Sequence, residues 1–366
     1  MKILCLLSEI FAYGGIQKYN TTLLRALAES GYQVFVLSMN DKNKIRHPLP
    51  YVIKACADAP LFRKLKFVWY TFVYSIKFNP DVIICGHINF SPLCFLLRRI
   101  FRTDYIVITH GVEAWDLKSH FQIVGLLRAK LILTVSEYTA CKIREQLPQI
   151  ERKIVIIPNS IDGSRFYIKS KSADLVKKYN LANQKVILTV SRLLFSDRIK
   201  GYDKVIQVMP KVIKEFPNSK YILVGGGTDE TRLRRLKDSL GLKDRVIFTG
   251  YLPEDKLIDY YNLCDVFIMP SKNEGFGIVF LEALACGKPV IAGNKDGSRD
   301  ALLDGEVGIL IDPDNTDEIA KTLIKVLKRD IPAKMLDGEY LRKRVIEEYG
   351  FDKFKASIKE VVKGVR

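Results

Sequence analysis

Short runs of aliphatic and β-branched residues alternate with amphipathic stretches along the whole chain, which is the pattern of parallel sheets covered by helices. In the first half the runs predict strands at Lys2–Leu7, Gln33–Met39, Tyr51–Cys56, Asp81–Cys85, Tyr105–Thr109 and Leu131–Val135. In the second half they predict strands at Val186–Val190, Tyr221–Val224, Arg245–Thr249, Val266–Met269, Pro289–Ala292 and Gly308–Ile311. With 366 residues and 48% apolar content the chain can bury two ordinary cores, so two Rossmann-like, doubly wound α/β domains are the economical reading. Ile154–Ile157, followed by Pro158-Asn159-Ser160-Ile161-Asp162-Gly163, closes the first, and lysine-rich Lys169–Lys178 reads as linker and the opening of a helix. The expected domains are residues 1–165 and 170–345, with Asp162–Ser170 as the hinge.

No apolar run reaches the roughly 20 residues of a membrane span. The opening Met1–Leu7 is cut short by Ser8-Glu9 and reads as a buried strand, not a leader. Seven cysteines, odd in number and without paired metal-ligand spacing, point to reduced thiols and a cytoplasmic protein. Four histidines are equally dispersed, so no metal site is expected.

The net charge of +17 changes the picture of possible partners. Residues 1–170 hold 23 Lys and Arg against 12 Asp and Glu, and the remainder 35 against 29, so the excess lies mainly in the first half. Such a surplus suits nucleic acid, an anionic membrane surface or a polyphosphate ligand. No recognisable nucleic-acid-reading module accompanies it, and the cations are spread over many helices, so a basic nucleic-acid-binding protein is the weaker alternative.

In open parallel sheets, ligands bind outside the carboxyl ends of strands. After the strand at Val266–Met269 comes Glu274-Gly-Phe-Gly-Ile-Val-Phe-Leu-Glu282, two carboxylates separated by a glycine-rich entry and an apolar run. Gly275 and Gly277 let backbone approach a ligand, and a helix start near Ile278 offers free N–H groups and a positive dipole end to a diphosphate. Glu282, about a turn into that helix, can accept from sugar hydroxyls. The plain alternative is a loop glutamate in solvent and a second one on an exposed helix face. Arg192 and Lys200 follow the end of Val186–Val190 and can reach one anion together, or stand as two solvated surface cations. Gly14-Gly15 ahead of a helix is a weak phosphate cradle without dinucleotide or P-loop spacing, and Gly225-Gly226-Gly227 is explained by a tight strand exit.

These motifs, in order, resemble the retaining glycosyltransferases of family four, whose GT-B architecture sets two Rossmann-like domains across a cleft. The resemblance rests on Gly14-Gly15, Thr109-His110-Gly111, Pro158-Asn159-Ser160-Ile161-Asp162, Ser191-Arg192-Leu193, Lys200-Gly201 and Gly250-Tyr251-Leu252. It continues through Leu263-Cys264-Asp265-Val266-Phe267, Pro270-Ser271, Glu274-Gly275-Phe276-Gly277, Glu282-Ala283, Gly287-Lys288-Pro289-Val290-Ile291 and Gly308-Ile309-Leu310, covering nearly the whole chain.

The resemblance implies that Arg192 and Lys200 bind the donor diphosphate, Glu274 the hydroxyls of the transferred sugar and Glu282 the ribose. Backbone N–H groups around Phe276, Gly277 and Ile278, with Gly15, complete the contacts. It also implies that the base lies against Tyr251 and Leu252, and that His110 sits near the donor sugar, although a histidine capping a strand end is the simpler view of that residue. A final helix from Phe351 crosses back to the first domain. The implied reaction is hexosyl transfer with retention of configuration from a nucleotide sugar, UDP-glucose first and a GDP-sugar second, without metal or other cofactor. Fixed cations fit a reaction that builds negative charge on a leaving diphosphate. One departure is Ala292-Gly293-Asn294-Lys295-Asp296-Gly297-Ser298-Arg299-Asp300, where many members carry a glycine pair followed shortly by a glutamate; the added Asp-Gly-Ser is expected to reshape a cleft-side loop and weakens the transfer of donor preference from relatives.

The segment Leu61–Lys77 mixes cations with aromatics, and Leu93–Arg102 adds Arg98, Arg99 and Arg102 beside Phe95, Leu96, Leu97, Ile100 and Phe101. Basic and aromatic faces of this kind dock on anionic bilayers. The expected acceptor is therefore a glycan linked to polyprenyl diphosphate at the inner face of the plasma membrane, in exopolysaccharide or cell-surface polysaccharide synthesis. Core helices with a solvated basic edge account for the same residues, and a soluble enzyme with a small acceptor, or a silent relative that only binds nucleotide sugar, fits the same fold.

Overall fold

The computed structural model describes residues 1–12, 14–42, 51–57 and 62–365. Two compact units emerge, Met1–Ser160 with Phe351–Arg366, and Ile161–Gly350.

The first unit is built on β1 (Lys2–Leu7), β2 (Gln33–Ser38), β3 (Val52–Ala55), β4 (Val82–Cys85), β5 (Asp104–Thr109), β6 (Leu131–Thr134) and β7 (Ile154–Ile156). They form one parallel sheet in the order β3-β2-β1-β4-β5-β6-β7. Central strands covered on both faces must be apolar at successive positions. β4 is buried throughout and β1 at every residue after Lys2. The helix Phe351–Gly364 belongs to this unit and lies on the helix Gly15–Glu29. Tyr19 meets Phe354 edge-on at 5.4 Å, the Arg25 guanidinium stacks 4.0 Å from the Phe351 ring, and Lys355 pairs with Glu29 at 3.0 Å.

The second unit holds β8 (Lys185–Val190), β9 (Ser219–Val224), β10 (Val246–Gly250), β11 (Val266–Met269), β12 (Val290–Gly293) and β13 (Ile309–Ile311). Their order, again all parallel, is β10-β9-β8-β11-β12-β13. In each sheet the order reverses beside the unit's first strand, between β1 and β4 and between β8 and β11. Loops leaving two such neighbours diverge to opposite faces and open a crevice at the carboxyl ends.

The chain leaves the first unit at Ser160 and returns at Phe351. Ile161 N donates to the Tyr349 carbonyl at 2.8 Å, and Ile161 forms an isolated parallel bridge with Gly350. The segment 162–170, expected as the hinge, is bound within the second unit. Arg342 donates to the carbonyls of Gly163, Phe166 and Ala285, and Asn262 accepts from Lys169 N and donates to the Tyr167 carbonyl. All seven cysteines are free thiols, six of them buried. No helix among the described residues is long and apolar enough to cross a membrane.

Candidate active site

The switch point between β8 and β11 collects the acidic and basic residues singled out in the sequence. Leaving β8, Ser191 N and Leu193 N donate to Val224 and Gly226 carbonyls at 3.0 Å each, so the backbone around Arg192 is tied to the glycine triplet after β9. A 3-10 turn, Phe195–Lys200, follows and ends at Gly201. Gly201 has φ +74°, and a Cβ there would stand 2.4 Å from the Pro270 carbonyl oxygen. Only glycine permits both the conformation and the approach. Lys272 N adds a bond to the Ile199 carbonyl at 3.1 Å. The loop after β8 thus lies on the loop after β11, and Lys200 Nζ reaches Glu274 Oε2 at 2.7 Å with both side chains mostly shielded.

Arg192 lies at the other end of the same turn. Its side chain is 62% exposed and its Nε stands 3.2 Å from Asp197 Oδ2, so it flanks the Lys200–Glu274 pair without joining it. The turn is braced from below by Asp229, a buried carboxylate that accepts from the guanidiniums of Arg198 and Arg232. Arg198 stacks 3.6 Å from the Phe195 ring, and Tyr202 OH donates to the Leu194 carbonyl at 3.0 Å.

Glu274 is held through its main chain as well. Its N–H donates to Asp296 Oδ2 at 2.7 Å, and its carbonyl accepts from Gly297 N at 2.9 Å. Beyond it, Gly277 (φ +90°) precedes the helix Ile278–Ala285; Phe280 N donates back to the Gly277 carbonyl at 3.0 Å, which leaves the Ile278 and Val279 N–H groups at the helix start without an intrahelical acceptor. The Phe276 ring is buried edge-on against Tyr349 at 5.3 Å, so Phe276 can offer a ligand only backbone. Glu282 is not on an exposed helix face. It is 1% exposed, and its Oε2 accepts from Tyr261 OH at 2.6 Å. Tyr251 and Leu252 follow β10 at the edge of the sheet, next to the bond from Gly225 N to the Gly250 carbonyl at 3.0 Å, and the Tyr251 ring is half exposed.

In the first unit, Gly15 opens the helix Gly15–Glu29, and apart from its chain neighbours and its own helix's backbone no heavy atom of the described residues lies within 4 Å of where its Cβ would be. Tyr13 is outside the described residues. The loop leading to Gly14 is pinned by buried Asp41, which accepts from Ile10 N (2.7 Å), Phe11 N (3.3 Å) and Ser38 Oγ (2.7 Å). His110 follows β5; its Nε2 stands 3.0 Å from the Gly86 carbonyl, and its ring meets Tyr19 edge-on at 5.2 Å. Burial holds its pKa below the ordinary 6.5, with Glu113 pulling the other way. The ring is therefore neutral at physiological pH, with the proton on Nε2, because a carbonyl accepts only from N–H.

Tyr261, Asp229, Asp41 and Asp296 carry this arrangement without having been singled out as site residues. Asp296 had a signal, the Asp-Gly-Ser departure after β12, which reads as loop chemistry until its partner is known. The others show as ordinary polar residues in helices and turns. Among the described residues no group of three His, Cys, Asp or Glu is placed to hold a metal ion.

Comparison with known proteins identifies the family. The family described as "Glycosyl transferases group 1" matches residues 171–344, and "Glycosyltransferase Family 4" matches residues 13–165. The GDP-mannose-dependent alpha-(1-6)-phosphatidylinositol monomannoside mannosyltransferase of Mycobacterium tuberculosis is 30% identical over 270 residues, 70% of this chain and 68% of that protein. The protein of the same name from Mycolicibacterium smegmatis is 30% identical over 245 residues, and the match spans 63% of its length and 63% of this chain. Among solved structures, sucrose-phosphate synthase from Thermosynechococcus elongatus superposes with a TM-score of 0.84 at 24% identity, over 100% of this chain and 99% of that one. Anabaena HepE in complex with UDP-glucose gives 0.81 at 20% identity over 100% of both chains. The chain belongs to glycosyltransferase family four, and is a glycosyltransferase of the GT-B fold.

Proposed function

We propose that the enzyme moves a hexosyl group from a nucleotide sugar to a glycan acceptor, with retention of anomeric configuration and without a metal ion. The observation that carries this reading is the Lys200–Glu274 ion pair at the β8/β11 switch point, beside the start of the helix Ile278–Ala285. Breaking the bond between C1 and the phosphate oxygen leaves positive charge on the sugar ring and negative charge on the departing diphosphate. Lys200, Arg192 and the helix-start N–H groups stabilise that negative charge in place of a metal ion. Glu274 accepts from hydroxyls of the transferred sugar. Glu282, its orientation set by Tyr261, accepts from the ribose, the role the family resemblance implies for it. His110, with Nε2–H committed to Gly86, keeps Nδ1 as an acceptor for a sugar hydroxyl. The acceptor hydroxyl attacks C1 from the face the diphosphate leaves, and its proton passes to the departing phosphate oxygen.

GDP-mannose moves ahead of UDP-glucose as the donor, because the 30%-identical mycobacterial relatives are GDP-mannose-dependent by name, whereas the UDP-glucose complex of HepE is similar at the level of fold. A lipid-linked acceptor is supported by the same relatives, named for a phosphatidylinositol mannoside, and by an apolar and basic surface on the first unit. The helix Arg63–Phe78 exposes Leu65, Trp69 and Ile76 with Lys64 and Lys77, and the helix Ser91–Phe101 exposes Leu96 and Ile100 with Arg99. Phe72 and Phe101, 6.4 Å apart, join the two helices, and Arg102 is exposed just beyond the second. We therefore place the enzyme peripherally on an anionic cytoplasmic leaflet, acting on a polyprenyl-diphosphate-linked glycan in surface or exopolysaccharide synthesis. Leu61 of the sequence segment lies outside the described residues.

The test is a screen of UDP-, GDP- and ADP-sugars against lipid-linked and small acceptors, following nucleotide release and product with a chelator present. Acceptor-dependent release and an α-linked product from an α-donor are expected. No release from any donor would overturn the reading.

A further inference from the structure

We infer that Asp296 is a positioning residue for the transfer reaction: its buried carboxylate, together with the Gly297 amide, fixes the main chain of Glu274 and so aims the Glu274 carboxylate at the donor sugar. The inference rests on the transferase reading above. Asp296 follows β12 and is fully buried. Its two oxygens are divided between two main-chain donors, Oδ2 to Glu274 N at 2.7 Å and Oδ1 to Ser298 N at 2.9 Å. The next residue returns the bond, Gly297 N donating to the Glu274 carbonyl at 2.9 Å. Both polar groups of Glu274's main chain are therefore held by one dipeptide from the neighbouring strand's loop. The approach is close enough that a Cβ on Gly297 would stand 2.1 Å from the Gly275 carbonyl oxygen. Main-chain torsions at Glu274 decide where its carboxylate points, and a shift of about 1 Å in such a group costs roughly 100-fold in rate.

A carboxylate is needed at 296 because two N–H donors converge on it, and charged acceptors make the stronger bonds. Burial raises the Asp296 carboxyl to about 6; its bonds from Ser298 and Glu274 N lower it, and the Glu274 charge raises it. The charged groups around it are otherwise spoken for. Glu274 pairs with Lys200, Lys295 with Asp312 and Asp314, and Arg299 with Asp304. As pH falls through about 6 the carboxyl gains a proton, one oxygen becomes a donor facing a donor, and the clamp on Glu274 weakens. The effect on stability has the opposite sign. A folded pKa above the ordinary 3.8 means the folded state holds its proton between 3.8 and about 6, so this group favours folding more as pH falls through that window. An acid loss of activity from Asp296 is thus not an acid unfolding.

The experiment pairs kinetics with the Glu274 amide itself. Asp296→Asn, isosteric but with an NH2 facing one of the two donors, is expected to lower kcat about 10- to 100-fold with donor KM changed by less than about threefold, and to lose the acid limb of kcat near pH 6. In wild-type protein, the Glu274 amide resonance is expected to titrate with a midpoint near that of Asp296. Wild-type kcat and an unchanged acid limb in a folded Asp296→Asn variant would overturn the inference. Should the variant not fold, the wild-type resonance decides alone: a shift with a midpoint near 6 supports the clamp, and an amide that does not titrate overturns it. A wild-type enzyme inert toward every nucleotide sugar would count against the transferase reading, which the amide titration does not test.

Discussion

Lys200 and Glu274, 74 positions apart in the chain, meet at 2.7 Å where the loops from β8 and β11 touch. The pair keeps an ammonium beside the carboxylate proposed above to bind the sugar. The same contact makes both residues sensitive to each other's removal.

Lys200→Ala and Glu274→Ala are each expected to lower transfer by at least about 100-fold, the scale for losing a fixed group at a developing charge. Neither partner is wholly buried, so water can rescue the one left behind and the cost in stability is about 1–2 kcal/mol. Turnover and thermal melts together check this. Wild-type turnover in either variant would remove the assigned roles.

Tyr261→Phe is expected to raise the donor KM severalfold with a smaller effect on kcat, because the phenol orients a group assigned to uniform donor binding. Losing a donor to the buried Glu282 carboxylate is expected to cost about 1–3 kcal/mol. Denaturant melts alongside donor saturation curves provide the measurement.

His110 supplies a pH prediction with a defined sign. Its folded pKa lies below 6.5, so the unfolded chain takes up the proton first as pH falls. Its contribution to stability is fully present above 6.5 and is lost as pH falls through that value toward the folded pKa. His87, also lowered by burial, acts in the same direction. His110→Gln should therefore lose less stability than wild type between about pH 7.5 and 5.5, and equal losses would contradict the assignment.

Membrane contact predicts flotation of wild-type protein with anionic vesicles at moderate salt. Leu65→Ser with Trp69→Ser should weaken it at all salt concentrations, since Trp69 is 66% exposed and its loss removes apolar area. Arg99→Ala with Arg102→Ala should weaken it most at low salt, where charge attraction is strongest. Wild-type protein that stays with the soluble fraction would remove the membrane surface from the proposal.

The strands were legible because their signal is local: an apolar run bounded by turn residues marks a strand wherever it stands, as at β8 and β11. The position of Lys200, Arg192 and Glu274 after strand ends was legible for the same reason, since the crevice rule needs only the strand and its direction. Glu282 shows the limit. Helical spacing puts it on a helix, but it cannot say which face is covered, and Tyr261 OH, 21 positions away, occupies its oxygen.

The sequence by itself determined the parallel α/β class, the strand ends after which the candidate loops begin, and the family resemblance from which their proposed roles are taken. The tertiary structure alone decided the partners: Lys200 against Glu274, Asp296 under the Glu274 amide, Arg342 holding the segment 162–170, and Trp69 left in solvent. Periodicity and turn chemistry act over a few residues, whereas the partner of a polar group depends on which strands become neighbours. That order, β8 beside β11 and β11 beside β12, is set by packing across the whole unit.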